Sequence, residues 1–440
     1  MSPFASRILD KAPGMEALAV SLARNTHRLR GQEDFPKEMI RQCAQFENEW
    51  PDFPKNTLSY YVAIAFGCLT TAFIMTQRHA AIRRIESSDH SNRDRWLREI
   101  RTGEAFATVG ISHLTTSRRH LSTPPVQAHR AVQAHRAVQA HRAVQAHRAV
   151  QADRAVHANG TGQAARVDNV RGDGERWILH GCIPWVTGAF SSDYIVVGAV
   201  EGRPTENSGT LRNTPQNDEK QTASETHIAA EIPMPNQTRE MLFLLPTATA
   251  GVEPGKGMEL LALSSSCTDE VRLDGVELSD AHLLHGPCEN VMAASQSKSP
   301  TSGSSAGGST GAGGAQTSAL ALGLAASAID WLYGESAPRP NLNPYAESLA
   351  NSWEDLYEKL VSIERGNASI DSNALRKQCN DLALQSTQAA LAAAKGAGFL
   401  ENHPVSKWCK EAMFFLVWSC PQWVAEAHLC SFSSMDTNLQ

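Results

Sequence analysis

An α+β, multidomain architecture follows from three features of this 440-residue chain. Apolar residues recur at helical spacing through the first hundred positions. From Glu104 the pattern changes to short apolar and β-branched runs separated by turn residues. From Ala315 it returns to long Ala- and Leu-rich stretches. The expected division is a helical domain over 1–102, a central β domain over 103–290, a flexible Ser/Gly linker over 291–316 and a helical bundle over 317–440. A chain of this length is expected to hold two or three domains.

Each element rests on its own signal. Gly14–Leu29 carries Leu18, Leu22 and Leu29 at helical spacing, and Pro36–Trp50 places Met39, Ile40, Cys43 and Phe46 on one side. Leu58–Ile85 reads as one long apolar helix, and Asn92–Ile100 closes the block. The β block begins with Glu104–Ser112 and continues through Trp177–Leu179, Tyr194–Val200, Arg239–Leu245, Met258–Leu263 and Val271–Leu278. Ser318–Tyr333, Ala346–Ile363, Ser372–Ala394 and Ser406–Val417 are the expected helices of the last block.

Composition narrows the function classes. Apolar content of 42% with 20% charged residues describes an ordinary globular chain with enough apolar mass for a large core. A net charge of −6 argues against general nucleic-acid binding, which wants a basic face. Nine Cys show neither a CxxC pair nor zinc spacing, which reads as reduced thiols in a cytoplasm. No basic-then-apolar leader pattern opens the chain, so no export signal is expected. Leu58–Met75 lacks charge over eighteen residues, the shortest length for a membrane span. It contains Ser59, Gly67, Thr70 and Thr71 and stands alone, so a buried helix is the expectation.

Three inserts interrupt the pattern, at about 124–172, at 202–226 and in the Ser/Gly stretch 295–314. The first holds a tandem hexapeptide, Ala-His-Arg-Ala-Val-Gln, with His at 129, 135, 141 and 147, decaying to Asp153 and His157. On a helix, six residues turn about 600°, so successive His fall about 120° apart. On a strand they share a face but stand about 20 Å apart. Neither arrangement converges on one ion, so the repeat reads as an expanded surface loop and no metal site is expected. Arg171-Gly172-Asp173 is read as loop, not as an adhesion motif. Gly311–Gly314 follows no strand, so a dinucleotide fingerprint is not supported there.

The most informative stretch is Trp177–Val200. Within it Trp185 precedes Thr187 by two residues, and residues two apart in an extended segment point the same way. An indole and a small hydroxyl side by side suit a flat heteroaromatic ring, one packing on it and the other reaching a polar ring atom. The residues Trp177, Leu179, Gly181, Trp185, Val186, Thr187, Gly188, Asp193 and Val196-Val197 resemble the middle-domain pattern of the acyl-CoA dehydrogenase flavoprotein superfamily. The helical, β, helical order resembles the same superfamily, over about residues 35–430. The resemblance implies an N-terminal α-helical domain, a central β-barrel domain and a C-terminal helical bundle, with FAD between the last two. It also implies a homo-oligomer, dimer or tetramer.

By that resemblance, Trp185 lies against the flavin and Thr187 hydrogen-bonds its reactive edge. Thr108, Ser112, Thr115 and Thr116 are the hydroxyls of the matching strand and loop, where the usual Thr-Glu-Pro pattern is only loosely kept. Arg339 stands at the distance of a flavin-phosphate Arg, although Pro338 and Pro340 flank it. Lys395-Gly396-Ala397-Gly398-Phe399 resembles the Gly-Gly-x-Gly-Phe turn that approaches a neighbouring subunit's pyrophosphate, with Lys395 in place of the first Gly.

The reaction implied is α,β-dehydrogenation of an acyl-CoA thioester, in which a carboxylate removes the α-proton. The family's usual Glu position, counted from Lys410-Glu411-Ala412, falls on Ser419. The alternative position falls near Gly313. Serine does not remove so weak an acid unaided. The readings left open are a dehydrogenase with a base elsewhere, such as Glu354 or Asp355, a flavin-dependent monooxygenase of the same fold, and a flavin-binding protein lacking dehydrogenase activity. Catalytic residues and the electron acceptor are not assigned by the sequence, and no nucleic-acid partner or membrane span is expected.

Overall fold

The computed structural model describes residues 3–12, 14–50, 53, 56–114, 126–131, 176–202, 239–295, 314–367 and 369–433. Thr115, Thr116, Arg171–Asp173, residues 311–313 and all but the first hexapeptide positions lie outside them. The described helices are α1 (Pro3–Asp10), α2 (Glu16–Asn25), α3 (Lys37–Glu49), α4 (Thr57–Gly67), α5 (Leu69–Glu86), α6 (Arg93–Thr102), the short α7 (Val291–Ala294), α8 (Ala315–Ser336), α9 (Asn343–Glu364), α10 (Ser372–Ala394), α11 (Pro404–Phe414) and α12 (Gln422–Ser433).

The helices of the two ends of the chain share one hydrophobic core. Phe4, Tyr61, Ile64 and Phe73 from the first hundred residues cluster with Leu320, Leu324, Trp353 and Phe415 from the last block. The centre is α8, buried along almost its whole length. Its Gly323 lets α4 approach closely: a Cβ there would lie 2.5 Å from the Ala65 Cβ and 2.6 Å from the Val62 carbonyl oxygen. Local signals set the helix ends. The Asp371 carboxylate accepts from the Asn373 amide at the start of α10, and Pro404 opens α11 with His403 Nδ1 accepting from the Val405 amide.

The expected single helix over Leu58–Ile85 is two helices. Cys68 is extended, with φ −160° and ψ 106°, between α4 and α5. At that point α2 crosses: a Cβ on Gly67 would stand 2.6 Å from the Ala19 carbonyl oxygen and 2.9 Å from the Leu22 Cβ. The absence of a side chain on Gly67 lets α2 pack against the chain where the helix ends. No helix among the described residues is long and apolar enough to cross a membrane.

The strands are β1 (Ala107–Gly110), β2 (Gln127–Arg130), β3 (Arg176–Val186), β4 (Tyr194–Glu201), β5 (Glu240–Pro246), β6 (Val252–Pro254), β7 (Asp269–Ser279) and β8 (Leu283–Cys288). They form one mixed sheet in the order β6-β7-β3-β2-β4-β5-β8. Both β1 and β2 run parallel to β4, at its two ends. Among the described residues β6 and β8 do not pair, so the sheet is open and the expected closed barrel is not formed. One face buries Trp177, Ile183, Val197, Phe243 and Val276. The other packs Val109, Val196 and Leu244 on Ile82, Ile85 and Trp96 of the helices.

Two β expectations are corrected. Met258–Leu263 is not a strand; the strand is β6, and the following segment runs into a single helical turn at Ser264–Ser266. Leu263 and Cys267, on either side of that turn, have φ of 63° and 48°, which strand pairing does not allow. The first hexapeptide is not surface loop. Residues 127–130 are β2, between β3 and β4.

Candidate functional site

Thr187 follows the last residue of β3 and is only 5% exposed, while Trp185 is 40% exposed. The buried hydroxyl is the end of a short chain. Thr187 Oγ1 lies 3.1 Å from Thr268 Oγ1, which lies 2.8 Å from Ser266 Oγ. A hydroxyl has one proton and two lone pairs. Either oxygen of each pair can be the donor; in the direction Ser266 to Thr268 to Thr187, the Thr187 proton is available to a further acceptor. Sequence reasoning did not single out Thr268 and Ser266, whose hydroxyls line up behind Thr187. Their signal is the hydroxyl-rich run Ser264-Ser265-Ser266-Cys267-Thr268, which lies between the expected strands Met258–Leu263 and Val271–Leu278.

The loop is held from outside the sheet. Ser265 Oγ donates to the Gly31 carbonyl at 2.7 Å, and the Gly188 amide donates to the Cys267 carbonyl at 3.3 Å. Gly188, at φ 65°, admits the Phe35 ring: a Cβ would lie 2.7 Å from it. Non-glycine residues with positive φ cost energy and persist where the surroundings over-determine them. Leu263 and Cys267 are two such residues beside Thr268.

β1 lies against the same end of β3. A Cβ on Gly110 would stand 3.1 Å from Ile183 and 3.2 Å from Val186. Thr108 on β1 is fully buried, and its Oγ1 has no hydrogen-bond partner among the described residues. Ser112 lies on the single turn Ser112–Leu114 after β1. The neighbouring His113 places Nε2 2.9 Å from the Gly198 carbonyl, so that nitrogen carries the proton. Burial lowers the His113 pKa, which keeps the ring neutral. Its Nδ1 lone pair then has no partner among the described residues. His113 sits inside the stretch singled out from sequence, where only hydroxyls were weighed.

The more distant candidates are placed elsewhere. Arg339 precedes α9, and its guanidinium donates to the Ala393 carbonyl at 2.7 Å and pairs with Glu335. It therefore caps the end of α10. Gly396 and Gly398 form the turn after α10. A Cβ on Gly396 meets nothing within 4 Å, whereas one on Gly398 would lie 2.8 Å from the Ala394 Cβ. Gly396 thus offers open backbone and Gly398 serves packing. Lys395 takes φ 57° and ψ −143°, a region open essentially to glycine. Lys395→Gly is expected to raise folding stability by about 1 kcal/mol, the relieved strain exceeding the added chain entropy. Urea unfolding checks this, and a less stable variant refutes the strain.

Of the two positions counted for the base, Ser419 is among the described residues and the one near Gly313 lies outside them. Ser419 stands in a turn after α11 with φ 44°, beside Trp418, which stacks on Phe414. Glu354 and Asp355 are on α9, where they pair with Arg7 and Lys359 at 3.5 Å each, toward solvent. Glu411 is different: it is 2% exposed, burial raises its pKa, and Oε1 has no hydrogen-bond partner among the described residues. Its nearest cation is Lys407 Nζ at 3.8 Å, which itself donates to the Thr26 hydroxyl at 2.9 Å.

No known protein family and no curated protein matches the chain by sequence. Solved structures match over the whole length. The glutaryl-coenzyme A dehydrogenase glutaryl-CoA complex is similar at 11% identity and a TM-score of 0.62, covering 100% of this chain and 98% of that one. Butyryl-CoA dehydrogenase from Megasphaera elsdenii is similar at 13% identity and a TM-score of 0.60, covering 99% of each chain. Dibenzothiophene monooxygenase from Paenibacillus sp. A11-2 is similar at 12% identity and a TM-score of 0.59, covering 98% of each chain.

Proposed function

From the acyl-CoA dehydrogenase fold of this chain we propose that it is a flavin-dependent oxidoreductase holding FAD against Trp185 and Thr187. The observation that carries the reading is a half-exposed indole two residues before a buried hydroxyl that lies 3.1 Å from the Thr268 hydroxyl. A hydroxyl that accepts from Thr268 keeps its own proton to donate, and a flavin edge presents acceptors to it. Thr108, buried with an unmatched Oγ1, supports a polar group arriving at the same end of β3. A bound flavin supplies a two-electron acceptor. The chain's part is to stack, to donate from Thr187, and to exclude water through the Phe35 and Phe106 rings, 5.6 Å apart beside Gly188.

The substrate we infer is an acyl-CoA or a similar small molecule, with α,β-dehydrogenation as the first reading. That chemistry needs a base within hydrogen-bond reach of the α-carbon. Ser419 at the expected base position favours the second reading, monooxygenation with dioxygen, which needs no such carboxylate. A homo-oligomer is part of the proposal. The open backbone of Gly396 and the exposed Phe399 and Leu400 that follow it support a second subunit at that turn.

The test is an absorbance spectrum of the purified protein, anaerobically with a panel of acyl-CoA thioesters and then with dioxygen. A flavin spectrum that bleaches on thioester addition is the expected result for the dehydrogenase. A flavin reduced only by an added reductase, followed by substrate-dependent oxygen uptake, establishes the second reading. Protein that neither retains nor takes up flavin overturns both.

A further inference from the structure

The strand β2 is the first copy of the hexapeptide repeat, and five of its residues contact the surrounding sheet. Val126 and Ala128 are fully buried in the sheet core. The Arg130 guanidinium lies over the Trp177 ring at 4.4 Å and reaches Asp280 at 3.5 Å, and the Trp177 indole donates to the same carboxylate at 2.8 Å. The His129 ring stacks on His180 with centroids 5.6 Å apart. The backbone pairs Gln127 with His180 through Arg130 with Trp177. On the other side, the Val200 amide donates to the Val126 carbonyl at 2.8 Å and the Gly202 amide to the Ala128 carbonyl at 3.0 Å.

The five residues Val126-Gln127-Ala128-His129-Arg130 recur unchanged at 132–136, 138–142 and 144–148, and with Asp153 for His at 150–154. The recurring copies lie outside the described residues. The period is six, an even number, so a shift by one copy leaves the inward and outward faces of the strand unchanged. A shift also lengthens the connection from β1 while shortening the one to β3. Because closure entropy depends on the logarithm of loop length, the two nearly cancel, leaving about a 1.5-fold difference in population.

We propose that the slot between β3 and β4 is a degenerate intramolecular binding site, which any of the four identical Val-Gln-Ala-His-Arg segments of this chain fills. Trp177, Asp280 and His180 read the Arg and the His, and the core reads the Val and the Ala. Each added hexapeptide is then a spare β2, and repeats are gained or lost in whole units without loss of the fold.

The test compares two variants of the full chain. Ala128→Asp places a charge in the core position of the first copy. The second variant carries aspartate at Ala128, Ala134, Ala140, Ala146 and Ala152. The expected thermal midpoint of the single variant is within about 2 °C of the parent, while the fivefold variant falls by more than that or fails to fold. A single variant that falls as far as the fivefold one, or a fivefold variant as stable as the parent, overturns the proposal. Independently, Gln127→Cys and Gln133→Cys are each combined with His180→Cys, oxidised, and mapped by mass spectrometry. Both are expected to cross-link within one chain, and the inward-facing control Ala134→Cys is not. Cross-linking from Gln127→Cys alone, linking of the control to the same extent, or links between chains overturns it.

Discussion

Arg78→Ala lowers the folding stability by about 3–5 kcal/mol, the cost of stranding one member of a buried ion pair. The Arg78 guanidinium donates to Glu47 Oε2 at 2.6 Å and to the Ile100 carbonyl at 2.9 Å, and its side chain is almost fully buried. Glu47 Oε1 also accepts from the Tyr60 hydroxyl and from His79 Nε2 at 2.9 Å, and the Tyr61 hydroxyl meets His79 Nδ1. One cluster thereby ties α3, α4, α5 and the end of α6. Replacing both Glu47 and Arg78 with Leu is expected to cost less than Arg78→Ala alone, because no charge is left unpaired. A loss under about 1 kcal/mol in Arg78→Ala, read by urea unfolding, refutes the assignment.

The same cluster makes stability fall with acid. Burial by itself raises the Glu47 carboxyl, but His79, Arg78 and the Tyr60 hydroxyl outweigh it and hold the pKa at about 2. A depressed carboxyl contributes stability above its unfolded pKa, and that contribution is lost as pH falls from 4.5 toward 2. Burial lowers the His79 pKa, so the unfolded chain takes up a proton at His79 that the fold resists, and stability begins to fall below pH 6.5. Both groups act in one direction. A thermal midpoint that is flat from pH 7 to pH 3 contradicts this account.

The double substitution Trp185→Ala with Thr187→Ala is expected to weaken flavin retention about 5- to 150-fold. Loss of an aromatic contact costs about 0.5–1.5 kcal/mol and loss of a hydrogen bond a similar amount. Thr187→Ser keeps the donor and is expected to stay near the parent. Thr268→Val removes the hydroxyl behind Thr187 and is expected to weaken retention less than the double substitution does. The measurement is the ratio of flavin to protein absorbance after gel filtration. An unchanged ratio in the double variant removes Trp185 and Thr187 from the site.

Much of the helical framework was legible: α3 lies where helical spacing placed it, and α8 and α10 lie in the Ala- and Leu-rich stretches expected to be helical. The break at Cys68 was not: it falls where α2 packs on Gly67, a contact between residues far apart in the chain. Thr187 was singled out by its local spacing from Trp185. Its partners Thr268 and Ser266 were not, since their meeting depends on the register of β3 with β7, where Val186 faces Asp269.

The sequence by itself determined the order of helical and β blocks, the repeat, and the segment worth looking at, because periodicity and composition are local properties. Only the tertiary structure decided that β6 and β8 do not pair among the described residues, that Arg339 is engaged by the end of α10, and that one copy of a low-complexity repeat is a core strand. Those outcomes are set by contacts between residues far apart in the chain. A short segment such as Gln127–Arg130 has no pattern of its own strong enough to announce a strand; Trp177, Asp280 and the two neighbouring strands make it one.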